Sequence, residues 1–87
     1  MAKSALITGG AKRLGKEMAL SLAQKGWDVA LHFRNSESDA ETTRQRIEKT
    51  GAVCRLFQAN LERAQEAVDM LKKVLKEFPE LDLLVNN

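Results

Sequence analysis

A glycine-rich segment near the start of the sequence carries the residues best suited to bind an anion. The segment reads Thr8-Gly9-Gly10-Ala11-Lys12-Arg13-Leu14-Gly15-Lys16-Glu17. It separates a short apolar run from an amphipathic stretch, the place where the free amides and the dipole of a helix N-terminus hold a phosphate group. Gly9 lets the chain leave a strand sharply, and Gly15 leaves room for close packing or for a phosphate. The plainer interpretation is a tight turn followed by two solvated cations, Lys12 and Arg13.

Two common phosphate-binding motifs fit this segment poorly. Gly10, Gly15 and Lys16 match the G-x-x-x-x-G-K part of a P-loop, but Glu17 stands where that motif requires Ser or Thr to hold magnesium. A P-loop nucleotide-binding protein is therefore a remote alternative, and no metal site is predicted. The dinucleotide motif G-x-G-x-x-G is also absent, because Gly9 and Gly15 lie one residue too far apart.

Apolar runs of strand length alternate with helical patterns along the whole sequence. We predict strands at residues 3–8, 28–33, 52–57 and 81–85, and helices at about 14–25, 38–51 and 60–78. Strands that alternate with helices pair in parallel through right-handed crossovers. The predicted fold class is therefore α/β, a Rossmann-type doubly wound parallel sheet with strand order 3-2-1-4, of which this sequence forms the N-terminal half only.

Apolar spacing and polar flanks predict how the helices begin and which side they bury. In the first helix, the expected core-facing stripe consists of Leu14, Met18 and Leu22 with Ala19 and Ala23 beside them. In the second, Ser38 and Glu41 have the spacing of a capping box. The core-facing positions predicted for the third helix are Leu61, Ala64, Val68, Leu71, Leu75 and Phe78.

The predicted strand order places two unusual sequences at the same edge of the sheet. The order reverses between the first and fourth strands, and such a reversal opens a crevice at the carboxyl ends of the strands, where open α/β sheets bind ligands. The glycine-rich segment follows the first strand, and Asn86-Asn87 follow the fourth. This coincidence predicts a ligand site between them.

The two sequences together resemble the short-chain dehydrogenase/reductases, whose glycine-rich turn has the form T-G-x-x-x-G-x-G. Thr8, Gly9 and Gly15 match that form, and Arg13 replaces the middle glycine, which is similar to the pteridine reductase branch. Asn86-Asn87 looks like the start of the family's N-N-A-G motif, which implies that Asn87 ties the fourth strand to neighbouring strands. The resemblance covers residues 1–87 and implies that they are the N-terminal portion of a single dinucleotide-binding domain, truncated at Asn87.

The end of the second predicted strand bears on the choice of nicotinamide cofactor. NAD sites place a carboxylate there to bind the ribose 2′-hydroxyl, whereas NADP sites need donors for the 2′-phosphate. Arg34, Asn35 and Ser36 follow the strand, and Lys12 and Arg13 project from the neighbouring turn. The nearest carboxylate comes only with the next helix, where it suits the helix dipole. NADP(H) is therefore predicted in preference to NAD(H).

The resemblance implies further cofactor contacts. Asn60 stands where the family has an Asp that accepts a hydrogen bond from the adenine amino group, although it is also predicted to cap the third helix. Leu14, Leu61 and Asn86 complete the implied set of cofactor-binding residues. His32 is more plausibly a hydrogen-bonded strand histidine than a ligand.

The residues that transfer the proton in this family are missing from the sequence. A Tyr and a Lys four residues apart, with a Ser before them, move the proton in the family, and the sequence contains no Tyr. No catalytic residue is therefore predicted. Two interpretations stay open: the NADPH-binding segment of an oxidoreductase that transfers hydride to a carbonyl or pterin-type substrate, and a non-catalytic nucleotide-binding or interaction module.

Composition bounds the partners and the compartment. The net charge of +2 is too small to argue for nucleic acid or an anionic membrane, and no apolar run has the length of a membrane span. The single cysteine, Cys54, forms no internal disulfide and is read as structural, so a reducing, cytoplasmic location is expected. The resemblance implies a small-molecule substrate and a homo-oligomer, a tetramer or a dimer, in the complete enzyme.

Overall fold

The computed structural model describes residues 2–87, which form one parallel sheet and three helices. The elements are β1 (Ser4–Ile7), α1 (Arg13–Gln24), β2 (Asp28–Phe33), α2 (Glu37–Glu48), β3 (Cys54–Gln58), α3 (Ala64–Glu77) and β4 (Leu83–Val85). This confirms the predicted alternation of strands and helices. The strand boundaries differ from the prediction mainly at β3 and β4, which begin two residues later than expected.

The strand order is β3-β2-β1-β4, and every neighbouring pair is parallel. In the register, Leu6 of β1 lies between Ala30 of β2 and Leu84 of β4. The predicted Rossmann-type topology is therefore confirmed, including the reversal of strand order between β1 and β4. The carboxyl ends of all four strands lie at one edge of the sheet.

The central strands are apolar because helices cover both of their faces. All residues of β1 are buried, as are Val29 to Phe33 of β2. On one face, α1 and α2 enclose a core that includes Ile7, Leu31 and Ile47. On the other face, α3 packs on a smaller core. The members of this second core are Leu6, Ala30, Phe57, Ala59, Met70, Val74 and Phe78.

The core-facing side of α1 agrees with the prediction at Ala19 and Ala23 but not at Leu14. Leu14 is 65% exposed, and the buried residues of the helix are Gly15, Ala19, Leu20 and Ala23. Met18 and Leu22 are only partly buried at the edge of the core. The helix presents its small residues to the sheet, which lets the helix approach the strands closely.

The predicted core stripe of α3 is also only partly correct. Phe78 is buried, but Met70 and Val74 are the buried helix residues, whereas Val68, Leu71 and Leu75 are each more than 40% exposed. The exposed residues form a second apolar stripe beside the buried one. The helix contacts the sheet along one narrow face, so only one of the two stripes is covered.

Both predicted helix caps are wrong. Helix α2 begins at Glu37 with Ser36 at the N-cap position, and Glu41 pairs with Arg44 instead of capping the helix. The hydrogen bond from Arg44 lowers the pKa of the Glu41 carboxyl. Asn60 does not cap α3, because the helix begins only at Ala64.

The described residues contain no helix with the length and apolarity needed to cross a membrane.

Candidate functional site

The carboxyl ends of β1, β2 and β4 meet around the glycine-rich turn that joins β1 to α1. The Gly10 amide donates to the backbone oxygen of His32 at 3.0 Å, which places the turn against the end of β2. The side-chain amide of Asn87 donates to the Gly9 oxygen at 3.2 Å, which places it against the end of β4. The predicted juxtaposition of the glycine-rich segment with Asn86-Asn87 is therefore found in the structure.

Thr8 is the residue that joins β1 to the segment after β4. Its amide donates to the Val85 oxygen at 3.0 Å, and its hydroxyl accepts a hydrogen bond of 3.0 Å from the Asn87 amide. The hydroxyl hydrogen is directed at the Val85 oxygen (3.3 Å) or at Oδ1 of Asn86 (3.2 Å). Asn87 thus ties the end of β4 to the turn, as expected.

Gly15 is required by a close approach of α1 to the turn. A Cβ atom at this position would lie 2.5 Å from the Gly9 oxygen, 2.6 Å from Nδ2 of Asn87 and 3.0 Å from Cα of Gly10. Of the two roles that the sequence allowed for Gly15, the structure shows close packing. Gly9 has a φ of +61°, which lets the chain turn sharply out of β1.

Arg13 adopts a backbone conformation that suits glycine. Its φ of +55° lies in the left-handed region, and it is the only non-glycine residue among residues 2–87 with a positive φ. This is the position at which Arg replaces the middle glycine of the T-G-x-x-x-G-x-G pattern. Such a conformation costs a residue with a Cβ about 1–2 kcal/mol, and strain of this kind concentrates at functional sites.

The N-terminus of α1 has the properties of an anion-binding site. Within residues 2–87, the backbone amides from Ala11 to Gly15 donate no hydrogen bond, and the N-cap residue Lys12 offers no side-chain cap. Residues 13–16 include no acidic side chain, whereas Lys12, Arg13 and Lys16 bring three cations to the positive end of the helix dipole. Cations are unfavourable there unless an anion joins them.

Buried polar side chains hold the turn in place from two sides. His32, which is 6% exposed, accepts a hydrogen bond from the Gly9 amide through Nδ1 at 2.9 Å, and its Nε2 lies 2.9 Å from the Ala59 oxygen. On the other side, the hydroxyl of Thr43 in α2 donates to the Ala11 oxygen at 3.2 Å. His32 is therefore a fully hydrogen-bonded strand histidine, as expected.

The residues predicted to bind a 2′-phosphate follow β2 directly and are accessible. Arg34 and Asn35 are exposed, and Ser36 is half-buried at the start of α2. A guanidinium nitrogen of Arg34 lies 3.7 Å from a carboxylate oxygen of Glu62 in the loop after β3. Both side chains of this pair are more than half exposed, so the pair is weak and leaves Arg34 free to exchange to another anion.

Lys12 makes a similar surface pair, with Asp39 of α2 at 3.4 Å. This contact connects the glycine-rich turn to the first turn of α2, next to the segment after β2. The cations predicted from the sequence therefore lie around one edge of the sheet, each with at most an exposed partner.

The segment after β3 carries the remaining predicted contacts. Oδ1 of Asn60 accepts a hydrogen bond of 3.1 Å from the Glu62 amide, and the Asn60 amide donates to a carboxylate oxygen of Glu66 at 3.0 Å. Leu61 is half-buried and packs against the core beneath α3. Asn60 thus shapes the loop that enters α3, and its side-chain oxygen retains a second lone pair.

The buried cysteine and a recess with two carboxylates have structural roles. Burial raises the pKa of the Cys54 thiol to about 12, so this cysteine is an unreactive core residue. A surface recess at the opposite edge of the sheet includes Asp28 and Asp82. These carboxylates accept hydrogen bonds of 2.9 Å from the amides of Val53 and Ser4, respectively, and so fix the amino ends of the strands.

The fold and the uncapped, cation-rich helix N-terminus define an α/β protein of the Rossmann type, with its candidate ligand site at the switch point between β1 and β4. The family model described as short chain dehydrogenase matches residues 3–87. The chain therefore belongs to the short-chain dehydrogenase/reductase family.

Curated relatives and solved structures agree with this membership. The chain is 38% identical over 87 residues to the 3-oxoacyl-[acyl-carrier-protein] reductase FabG of Staphylococcus epidermidis, covering all of this chain and 36% of that protein. It is 35% identical over 85 residues to the short-chain dehydrogenase/reductase homolog YusS of Bacillus subtilis, covering 98% of this chain and 78% of that protein. The chain thus spans about a third of the reductases that it matches and most of the shorter homolog.

Among solved structures, a protein described as a dehydrogenase from Burkholderia cenocepacia, with bound NADP, superimposes with a TM-score of 0.92 at 33% identity. The match covers 98% of this chain and 33% of that one. Acetoin dehydrogenase from Enterobacter cloacae superimposes with a TM-score of 0.94 at 31% identity, over all of this chain and 34% of that one.

Sequence reasoning missed three features of the site. The roles of His32 and Thr43 in holding the turn depend on contacts between distant strands and helices, which no local pattern reveals. The positive φ of Arg13 had a signal in the sequence, because Arg13 occupies the place of a glycine in the family's turn.

Proposed function

We propose that residues 1–87 form the NADP(H)-binding segment of an oxidoreductase of the short-chain dehydrogenase/reductase family. The observation that carries this proposal is the N-terminus of α1, where five successive backbone amides have no acceptor within residues 2–87 and three cations surround the helix end. A dinucleotide pyrophosphate supplies the missing acceptors and the missing negative charge. When bound, NADPH would supply the hydride that the complete enzyme transfers.

The preference for NADP(H) over NAD(H) is supported by the segment after β2. Arg34, Asn35 and Ser36 offer a guanidinium, an amide and a hydroxyl at the tip of the strand, where a carboxylate would select the ribose 2′-hydroxyl. The guanidinium can make a bidentate contact with a phosphate. The nearest carboxylate in sequence, Glu37, lies in the first turn of α2, where it favours the helix dipole.

The substrate that we propose for the complete enzyme is a carbonyl or a pterin-type compound. The names of two relatives, a 3-oxoacyl reductase and an acetoin dehydrogenase, support the carbonyl class. Arg13 at the position of the family's middle glycine supports the pterin class through the resemblance to pteridine reductases. We further propose a cytoplasmic homo-oligomer, for which the single unpaired Cys54 and the exposed apolar stripe of α3 are compatible observations.

The test is the effect of Arg34→Asp on the two nicotinamide cofactors in the natural polypeptide that contains this sequence. The charge reversal should weaken NADPH binding at least about tenfold, because it removes a bidentate contact and repels the 2′-phosphate, and should change NADH binding little. Lys72→Asp, an equal charge reversal on the exposed surface of α3, is the matched control and should leave both affinities unchanged.

Two results would contradict the proposal. Equal losses of NADPH and NADH affinity in Arg34→Asp would refute the 2′-phosphate role. Absence of binding to either cofactor in the wild-type protein would favour the non-catalytic module, and magnesium-dependent ATP binding in its place would favour a P-loop protein.

A further inference from the structure

His32 connects two loops that follow different strands. Its ring is buried in β2, Nδ1 lies 2.9 Å from the Gly9 amide in the turn after β1, and Nε2 lies 2.9 Å from the Ala59 oxygen in the segment after β3. Its own backbone oxygen accepts the Gly10 amide at 3.0 Å. One residue therefore fixes the amides of Gly9 and Gly10 in the glycine-rich turn and the start of the loop that carries Asn60.

These contacts determine the tautomer of the ring. A backbone amide can only donate, so Nδ1 must accept the hydrogen bond from Gly9 and carries no hydrogen. A carbonyl oxygen can only accept, so Nε2 carries the hydrogen and donates it to Ala59. The imidazole is thus neutral with its hydrogen on Nε2, and both ring nitrogens are used within the protein.

The hydrogen bonds of His32 determine which backbone amides of the turn remain available to a ligand. Because Gly9 and Gly10 donate inward to His32, their amides are not available to a ligand, and the chain presents the next five amides, from Ala11 to Gly15, without acceptors at the start of α1. At its other side, His32 holds Ala59, and Asn60 and Leu61 follow immediately. The imidazole is therefore placed between the predicted pyrophosphate contacts and the predicted adenine contacts.

We propose that His32 is a positioning residue for the dinucleotide, which sets the glycine-rich turn and the loop after β3 at the spacing that the two ends of the cofactor require. This inference rests on the proposed function for its ligand. This role differs from that of an ordinary core histidine, because Nδ1 binds the glycine-rich turn and Nε2 binds the segment after β3, which are different parts of the site.

Two substitutions separate the two contacts. In His32→Asn, the side-chain oxygen takes the place of Nδ1, so the acceptor for Gly9 is kept and the donor to Ala59 is lost. In His32→Gln, the longer side chain places its amide nitrogen near the position of Nε2, so the donor to Ala59 is kept and the acceptor for Gly9 is lost. Each variant loses one buried hydrogen bond, and the two should be destabilised to a similar extent.

The expected result is a difference in cofactor binding between variants of similar stability. In the natural polypeptide, His32→Gln should weaken NADPH binding about tenfold relative to His32→Asn, because an unpaired Gly9 amide disturbs the turn that holds the pyrophosphate. Urea unfolding measures the stability of each variant, and fluorescence titration with NADPH measures its affinity. Wild-type NADPH affinity in both variants, at similar stability, would overturn the positioning role.

A measurement on the wild-type protein keeps the proposal testable if a variant does not fold. ¹⁵N NMR of the histidine ring should show a hydrogen on Nε2 and none on Nδ1, and the Gly9 amide should be protected from hydrogen exchange before NADPH is added. A ring with its hydrogen on Nδ1, or an unprotected Gly9 amide, would refute the positioning role even if NADPH binds. Failure of the wild type to bind NADPH, with the ring as described, would instead refute the proposed function.

Discussion

Replacement of Gly15 by Ala should separate the stability of the fold from its ability to bind a dinucleotide. The added Cβ would lie 2.5 Å from the Gly9 oxygen and 2.6 Å from Nδ2 of Asn87, two atoms that are hydrogen-bonded to each other at 3.2 Å. It would also lie 3.0 Å from Cα of Gly10. Two of these three atoms belong to the main chain of the turn, so the turn itself must move.

The cost in folding free energy is small because two effects oppose each other. Overpacking at a close contact costs about 1–3 kcal/mol. Ala in place of Gly inside a helix returns about 1 kcal/mol. The free energy of unfolding should therefore fall by about 0–2 kcal/mol, which leaves a folded protein in which the glycine-rich turn is displaced from α1.

Cofactor affinity should change much more than stability. The free amides from Ala11 to Gly15 are placed by the turn that the Cβ displaces, so we expect NADPH to bind at least about tenfold more weakly. The assays are urea unfolding and NADPH fluorescence titration of the natural polypeptide. Wild-type affinity in a folded Gly15→Ala variant would refute the argument that this contact shapes the site.

Gly51→Ala is the matched control. Gly51 has a φ of +94°, so Ala there is strained and should cost about 1–2 kcal/mol. Within residues 2–87, a Cβ at Gly51 would meet no atom within 4 Å apart from its own chain neighbours, and the residue lies between α2 and β3, at the opposite end of the strands from the turn. This variant should lose stability comparable to that of Gly15→Ala and bind NADPH normally.

Two further predictions concern Arg13 and Cys54. Arg13→Gly should raise the free energy of unfolding by up to about 1 kcal/mol, because the relief of a φ of +55° is partly offset by a more flexible unfolded chain. The same substitution should weaken NADPH binding. A loss of stability in urea unfolding would contradict the strain argument. Cys54 should resist iodoacetamide in the native protein at pH 8, because burial raises the pKa of its thiol from 9.0 to about 12. Rapid alkylation of the native protein, measured by mass spectrometry, would contradict that burial. Since the raised pKa favours the protonated thiol in the folded state, its contribution to stability should be complete below pH 9 and be lost as the pH rises toward 12.

The topology could be predicted because it depends on features repeated along the chain. Each strand is an apolar run, each helix has an amphipathic pattern, and the connections are short, so few arrangements of parallel strands are possible. The glycine-rich segment was located for the same reason, since its position follows directly from the end of β1. These are local signals, and the structure preserves them.

The faces and caps of the helices could not be predicted as well. Helix α1 turns Gly15 and Ala19 toward the sheet and leaves Leu14 in solvent, because close approach of the helix outweighs burial of one leucine. In α3, two apolar stripes compete for one contact face, and local spacing does not say which of them is buried. The capping box at Ser38 failed because α2 begins at Glu37 with Ser36 at the N-cap position, so Ser38 lies inside the helix.

The polar contacts that shape the site were the least predictable. His32 and Ala59 are 27 residues apart, and Thr43 and Ala11 are 32 residues apart. Such hydrogen bonds exist only after the sheet and the helices have assembled. The sequence nevertheless indicated that Asn87 ties β4 to its neighbours, because the resemblance to the family placed it there.

The most direct test of the account is a comparison of NADPH and NADH binding by the wild-type natural polypeptide under identical conditions. The account predicts that NADPH binds more tightly, since Arg34, Asn35 and Ser36 follow β2 without a carboxylate at its tip. Tighter binding of NADH, or no binding of either dinucleotide, would contradict it.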